Sequence, residues 1–202
     1  MGIPVQIKFS ILLFVGLLTG CIRNSTPGLE KTKFTKLDSL TDSYLVIQDS
    51  MMNTWKMIMM HEAEKVESMH MLVSIMQWAG DDQNRESLHV RLEQLNKIKV
   101  TPKTLSNPYV VKEFDAANEA LVLELLQKAE NTPDYVHNQE MQSLVDKIKT
   151  HGKLVKGLRY TYDSIAVHFN KFVELNKTMI GEIDNPQNLE KKNLFYEVSE
   201  SK

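Results

Sequence analysis

The chain has 202 residues, 42% of them hydrophobic and 7% aromatic, with 24 Lys and Arg against 26 Asp and Glu for a formal net charge of -2. That near balance argues against a nucleic-acid partner, which calls for a concentrated basic face, and the single cysteine excludes an internal disulfide framework. With only 8 glycines and 6 prolines, and many Leu, Lys, Glu, Gln and Met, the composition favours helices.

The first twenty residues carry one charge, Lys8, followed by an apolar run from Phe9 to Leu18. About ten apolar residues are too few to span a bilayer as a helix, so 1–20 reads as a signal peptide. The run closes on Leu18-Thr19-Gly20-Cys21, which resembles the bacterial lipobox: a branched apolar residue, two small residues, then cysteine. Small residues fit a narrow peptidase cleft, and the thiol is the atom that takes the lipid, which accounts for a sole cysteine. The expected product begins at a lipidated Cys21 and, without Lys8, has a net charge of about -3. Acyl chains such as palmitate contribute roughly 0.8 kcal/mol per buried CH2, and more than one chain anchors stably. Residues 21–37 then form the lipidated N-terminus and a flexible tether, polar with a Pro27-Gly28 pair, which extends up to roughly 50 Å from the membrane. Ile22 stands where an aspartate would signal inner-membrane retention, and no acidic run follows. Both features point to the periplasmic face of the outer membrane.

Residues 38–180 are expected to fold as an all-α, antiparallel up-and-down bundle of four helices with long first and last helices. From Ser39 to Ala79 there is no Gly or Pro; Asp38 or Thr41 is the expected cap and Gly80 the left-handed stop. The main apolar stripe runs through Tyr44, Met51, Trp55, Ile58, Met59, Val66, Met69, Val73 and Met76. Asp81 or Asp82 caps a second helix to Lys99, with Leu88, Leu92, Leu95 and Ile98 on one side. Residues 100–108 hold two prolines and read as a loop. A third helix, Tyr109 to Glu130, presents Val110, Phe114, Ala117, Leu121 and Leu125, and Pro133 opens the next first turn. The fourth, from Tyr135 to Asn176, repeats Met141, Ile148, Val155, Tyr162 and Phe169 every seven residues, interleaved with Leu144, His151, Leu158, Ile165 and Phe172. Such heptads specify a seam facing other helices. Gly152 and Gly157 inside it suggest a bend or a close helix contact. Residues 181–202 lose the periodicity and read as a mobile tail, with docking of the Leu194-Phe195-Tyr196-Glu197-Val198 patch as the second option.

The segment from Glu130 to Phe172 resembles the core of the LemA family of bacterial envelope proteins. That family has a turn of Glu-x-Tyr-Pro type, then a helix with a regular Leu, an Arg and two Tyr-Asn pairs. Here stand Glu130-Asn131-Thr132-Pro133-Asp134, then Leu144, Arg159, Tyr162-Asp163 and Phe169-Asn170. Trp55, Ile58, Leu72 and Val73 occupy positions where the family has a Trp, an aliphatic and a Leu-Val pair. Thr132, Asp163 and Phe169 depart from the pattern, and Glu64-Lys65 with Ser68 to Met71 replace the family's Arg-Arg and Leu-Ile-Pro-Asn-Leu-Val segment. The resemblance implies a membrane-anchored helical protein without an established enzymatic reaction. The family usually has an N-terminal transmembrane anchor, for which the lipobox would be a functional substitute, and any partner contact made through the Arg-Arg segment is not inherited.

Eight of the eleven methionines lie between residues 51 and 76. Met51, Met59, Met69 and Met76 fall on the main stripe as core fillers, whereas Met57, Met60 and Met71 fall opposite, beside His61. Either the first helix is sandwiched or paired with another copy of the chain, or Met57, Met60, His61, His70 and Met71 form a periplasmic copper site, since soft sulfur suits Cu(I). Glu67-x-x-His70 and Glu86-x-x-His89 have the spacing of di-iron ligands, but they fall on consecutive rather than alternate helices. His151 sits in the apolar seam as an expected core residue, and His168 flanks it. With no nucleophile motif and no phosphate loop, neither a catalytic residue, a cofactor nor a metal is expected. Arg159, Tyr160, Asp163 and Asn170 form a candidate interaction surface around Tyr162, with Arg159 and Asp163 paired along the helix. The composite expectation is a non-enzymatic scaffold of the bacterial cell envelope, bound to the membrane by its lipid and to an unknown envelope protein, self-association being a further option.

Overall fold

Uninterrupted stretches without Gly or Pro close into helices because every residue adds one backbone hydrogen bond after nucleation. The computed structural model describes residues 35–196, positions 79, 99, 183 and 185 excepted, so Cys21 and most of the tether lie outside the described residues, as do 197–202. Four α-helices make up a helical bundle: α1 (Lys36–Ile75), α2 (Asp82–Lys97), α3 (Pro108–Glu130) and α4 (Gln139–Ile180). Short 3-10 turns fall at Thr104–Ser106, Pro133–His137 and Pro186–Leu189, and no strand occurs among the described residues. Among them, too, no helix is long and apolar enough to cross a membrane.

The helix α1 begins at Lys36, so Lys36 and Leu37 belong to the bundle rather than to the tether. Asp38 lies in its first turn and Thr41 in its second, and the Thr41 hydroxyl donates to the Leu37 carbonyl at 2.8 Å. The same device hides the buried hydroxyls of Thr54 and Ser68, which donate to the Ser50 and Glu64 carbonyls at 2.8 and 2.9 Å. The helix stops at Ile75, earlier than Ala79, because the Trp78 indole turns back to donate to the Val73 carbonyl at 2.9 Å. Gly80 then takes the left-handed conformation, φ +90°, that reverses the chain.

Asp81 precedes α2 without capping it, and its carboxylate accepts from the Asn84 side chain at 3.0 Å. Leu88, Leu92 and Leu95 are buried, whereas Ile98 lies past the helix end in extended backbone and is exposed, which corrects its place in the apolar side. In α3 the buried positions are Val111, Phe114, Asn118, Leu121, Leu125 and Ala129. Val110 and Ala117 face solvent instead: a polar residue, Asn118, occupies the stripe and shifts the apparent register by one. The start of α4 is set by Asn138, whose side chain accepts from the Met141 amide at 3.0 Å, so Tyr135 belongs to the preceding 3-10 turn. Met141, Ile148, Val155, Tyr162 and Phe169 are all buried, while of the interleaved set only Leu144 is fully so. Neither Gly152 nor Gly157 bends the helix or meets a close neighbour; the irregular residue is Asn176.

The core divides into two clusters along the bundle. One gathers Met69, Leu72 and Val73 of α1, Leu88 and Leu92 of α2, Leu121 and Leu125 of α3, and Met141 and Ile148 of α4. The other joins Tyr44, Ile47, Met51 and Ile58 of α1 to Val155, Tyr162, Phe169 and Val173 of α4, with Leu105, Val111 and Phe195. Tyr44 meets Phe169, Trp55 meets Tyr162 and His61 meets His151, with ring centroids 5.9, 5.3 and 5.3 Å apart, so positions along α4 fall as those along α1 rise. Residues expected to form a mobile tail are docked as far as Tyr196. Phe195 is buried against Trp55 and Tyr162, each 5.5 Å away between centroids, and fills the second cluster.

Candidate functional site

The Arg159, Tyr160, Asp163 and Asn170 group of α4 is brought together as the spacing predicts, but around the chain's own C-terminal segment. Asp163 accepts from the backbone N–H groups of Phe195 and Tyr196 at 2.8 and 3.0 Å. Asn170 donates to the Lys192 carbonyl at 2.9 Å and accepts from the Lys192 amide at 2.7 Å, extending this pairing like a strand edge. Tyr160 stays exposed and stacks on Tyr196 with centroids 4.5 Å apart. Arg159 is only 6% exposed and does not pair along the helix with Asp163; its Nη1 donates to both carboxylate oxygens of Asp115 on α3, at 2.7 and 2.8 Å. Its guanidinium lies over the Phe195 ring at 4.8 Å. The long Arg side chain reaches across to the neighbouring helix because a half-buried carboxylate accepting through both oxygens outweighs a surface pair within one helix.

Burial pushes the Asp163 carboxyl above its ordinary range, against the opposing pull of the Phe195 and Tyr196 amides and of Arg159. Burial also works against the Arg159 charge, but Asp115, with help from Glu62, more than offsets it and holds the guanidinium ionised. The Tyr162 hydroxyl is pushed up to about 12 by burial and then by Asp163.

A buried polar layer beside Arg159 went unnoticed in the sequence. Lys65 is 4% exposed and donates from Nζ to Glu62 Oε1 at 2.7 Å, and Asn118 Nδ2 donates to the same oxygen at 3.2 Å. Glu62 Oε2, Asn118 Oδ1 and Arg159 Nε are buried without a hydrogen-bond partner. A cavity of about 80 Å³, lined by Trp55, Ile58, Glu62, Phe114, Arg159 and Phe195, adjoins them. On the outside lies a groove of about 450 Å³, with Lys65, Lys149, Lys153 and Lys156 facing Asp115 and Glu119. The signal available beforehand was the spacing of Asn118 between Phe114 and Leu121, a polar residue on a core-facing line.

About two-thirds of the way along α1, His61 and Glu64 share a face, and His151 approaches from α4. The His61 Nδ1 stands 3.0 Å from Glu64 Oε2 and 3.2 Å from His151 Nδ1, which is itself 3.2 Å from the same Glu64 oxygen. His151 is therefore no isolated core histidine. His70 faces α2 instead, with Nε2 3.8 Å from Glu93 and its ring 6.2 Å from that of His89. Because nine residues of helix rise roughly 14 Å, His70 and Met71 cannot share an ion with Met57, Met60 and His61, and the five do not form one coordination sphere. Glu67 and Glu86 of the Glu-x-x-His pairs are exposed, away from the core where a di-iron centre would sit. Met57, Met60 and Met71 are 45%, 48% and 44% exposed, so α1 is not sandwiched on that side by the described residues.

The chain matches no family model, no curated protein and no solved structure.

Proposed function

We propose that the chain is a lipid-anchored, non-enzymatic interaction module of the bacterial cell envelope, LemA-like in its four-helix, antiparallel up-and-down plan. It is held at Cys21, on the periplasmic face of the outer membrane, and its work is to hold another envelope protein or a second copy of itself. The observation that carries this reading is the solvent-facing apolar line on α1. Val46, Met57, Met60 and Met71 fall within about 60° of one another around the helix axis, all substantially exposed, opposite the buried stripe. Unbranched, polarisable methionines adapt to partners of differing shape, which is why such surfaces recur in proteins that bind helices or loops. The hydrophobic run ending in Leu18-Thr19-Gly20-Cys21 supplies the membrane half of the reading.

The test uses the full chain in a bacterial host. Radiolabelled palmitate is expected in the wild type and absent in Cys21→Ser; a Cys21→Ser chain that still takes up label removes the anchor. A photo-crosslinking amino acid at Met60 is expected to give a discrete adduct, either with an envelope protein or with a second copy, whereas the same group at exposed Lys147 gives none. Equal yields at the two positions would end the interaction reading.

A further inference from the structure

Two imidazole nitrogens and a carboxylate oxygen form a nearly equilateral triangle with sides of 3.0, 3.2 and 3.2 Å at His61, Glu64 and His151. Hydrogen bonding alone accounts poorly for that triangle. Two Nδ1–H groups both donating to Glu64 would bring two donors face to face, and one Nδ1–H leaves a pair of lone-pair atoms in contact. Coordination resolves the conflict, because all three lone pairs then converge on one cation. The spacing also fits. Metal–nitrogen and metal–oxygen bonds of about 2.0–2.2 Å give ligand–ligand separations of roughly 2.9 Å at right angles and 3.3 Å in a tetrahedron, and the observed sides fall between. An ion about 2 Å from each atom sits roughly 1 Å out of their plane, with its other positions open.

We infer that His61, Glu64 and His151 form a binding site for a divalent first-row metal ion of the zinc type, joining α1 to α4. The donor set is two imidazoles and a carboxylate, borderline to hard, and suits Zn(II) rather than the Cu(I) that thioethers select. His61 and Glu64, three residues apart, lie on one face of α1, and His151 comes from the α4 seam. The two histidine side chains are 15% and 18% exposed and Glu64 is 45% exposed, so the nitrogens are held by packing while the carboxylate side opens to solvent. An ion reaches the site from that side, and water completes its coordination there. The inference does not depend on lipidation or on a protein partner.

Isothermal titration of the untagged full chain with zinc chloride is expected to show one site with a dissociation constant in the micromolar range or tighter. His61→Ala and His151→Ala should each weaken binding at least tenfold, the scale on which even outer-shell changes act in metal sites. Exposed His168→Ala should leave it unchanged. Since an alanine variant can loosen the helix pair, Glu64→Gln is titrated alongside, with circular dichroism confirming the fold of each, and is expected to weaken binding while retaining wild-type helicity. Zinc should raise the thermal midpoint of the wild type and not of His151→Ala. Binding weaker than about 100 μM, or an equal loss in His168→Ala, overturns the assignment.

Discussion

Asp163 supplies the strongest test of how the C-terminal segment is held. Asp163→Ala deletes both acceptors for the Phe195 and Tyr196 amides, bonds of 2.8 and 3.0 Å to a buried carboxylate. Charge-assisted bonds of that kind contribute roughly 1.5–3 kcal/mol each, so the pair is worth about 3–6 kcal/mol to the docked state. The segment is terminal, however, and both amides regain water simply by leaving the bundle. Global stability therefore falls by no more than the docking free energy, and the clear signature is local. Amide hydrogen exchange at Phe195 and Tyr196 should accelerate about a hundredfold or more in Asp163→Ala, and Trp55 emission should shift as its stacked partner Phe195 departs. Asp163→Asn behaves differently. Because burial holds the carboxyl above its ordinary value of 3.8, the neutral form is the less penalised one, and Asn keeps one acceptor. Its docking is expected to lie much closer to the wild type than to the alanine variant. The pH sign follows from the same shift. Relative to the unfolded chain the folded state binds this proton more tightly, so the carboxyl's contribution to folding stability is fully present below 3.8 and is lost as pH rises through the raised value. Asp163→Asn lacks that slope. Unchanged exchange protection at Phe195 and Tyr196 in Asp163→Ala would refute the whole account of the dock.

Two further perturbations probe the helices. Gly157 is exposed in the interior of α4 and a Cβ there meets nothing within 4 Å, so Gly157→Ala should raise stability by about 1 kcal/mol in urea denaturation; a loss would mean that the glycine has a packing role. Lys65→Met strips the buried Glu62 carboxylate of its cation, 2.7 Å away, and should destabilise by about 3 kcal/mol. The double variant Glu62→Gln with Lys65→Met should recover most of that, and a double variant no better than the single one would show that Lys65 is held by packing alone.

Much of the helical plan was legible because it rests on period. The seven-residue repeat from Met141 to Phe169 marks the fully buried line of α4, and Gly80 marks the turn after α1. What failed did so where a polar residue occupied an apolar line or where a partner lay far off in sequence. Asn118 shifts the α3 register by one position, because a polar residue on the core-facing line yields its place in an apolarity count to its neighbour Ala117. Arg159 was paired with the nearest carboxylate along its own helix, whereas Asp115 stands 44 residues away. The dock of Phe195 has no periodic signature at all. A few irregular residues, held through backbone amides and the rings of Phe195 and Tyr196, leave no repeat to detect, so the tail reads as free. The triangle of His61, Glu64 and His151 was hidden similarly, because its third member lies 90 residues from the first.

Three of these four failures, the register of α3 apart, share one structural cause, the spine role of α4. Three polar side chains interrupt its apolar seam, and each turns towards a different neighbour: His151 to α1, Arg159 to α3 and Asp163 to the C-terminal segment. Advancing from His151 to Arg159 to Asp163 turns the helix by about 80° and then about 40°, which carries the polar group round the axis from one partner to the next. A uniformly apolar seam would pack α1 tightly but would give no directional fix on α3 or on the tail. Directional bonds at these three levels hold each neighbour at one height along α4, whereas apolar contacts alone tolerate sliding by a helical turn. The cost appears as the unpaired Glu62 Oε2, Asn118 Oδ1 and Arg159 Nε, left where the polar layer crosses the core. Residues that look anomalous along any single helix are thus the ones that set how the helices meet.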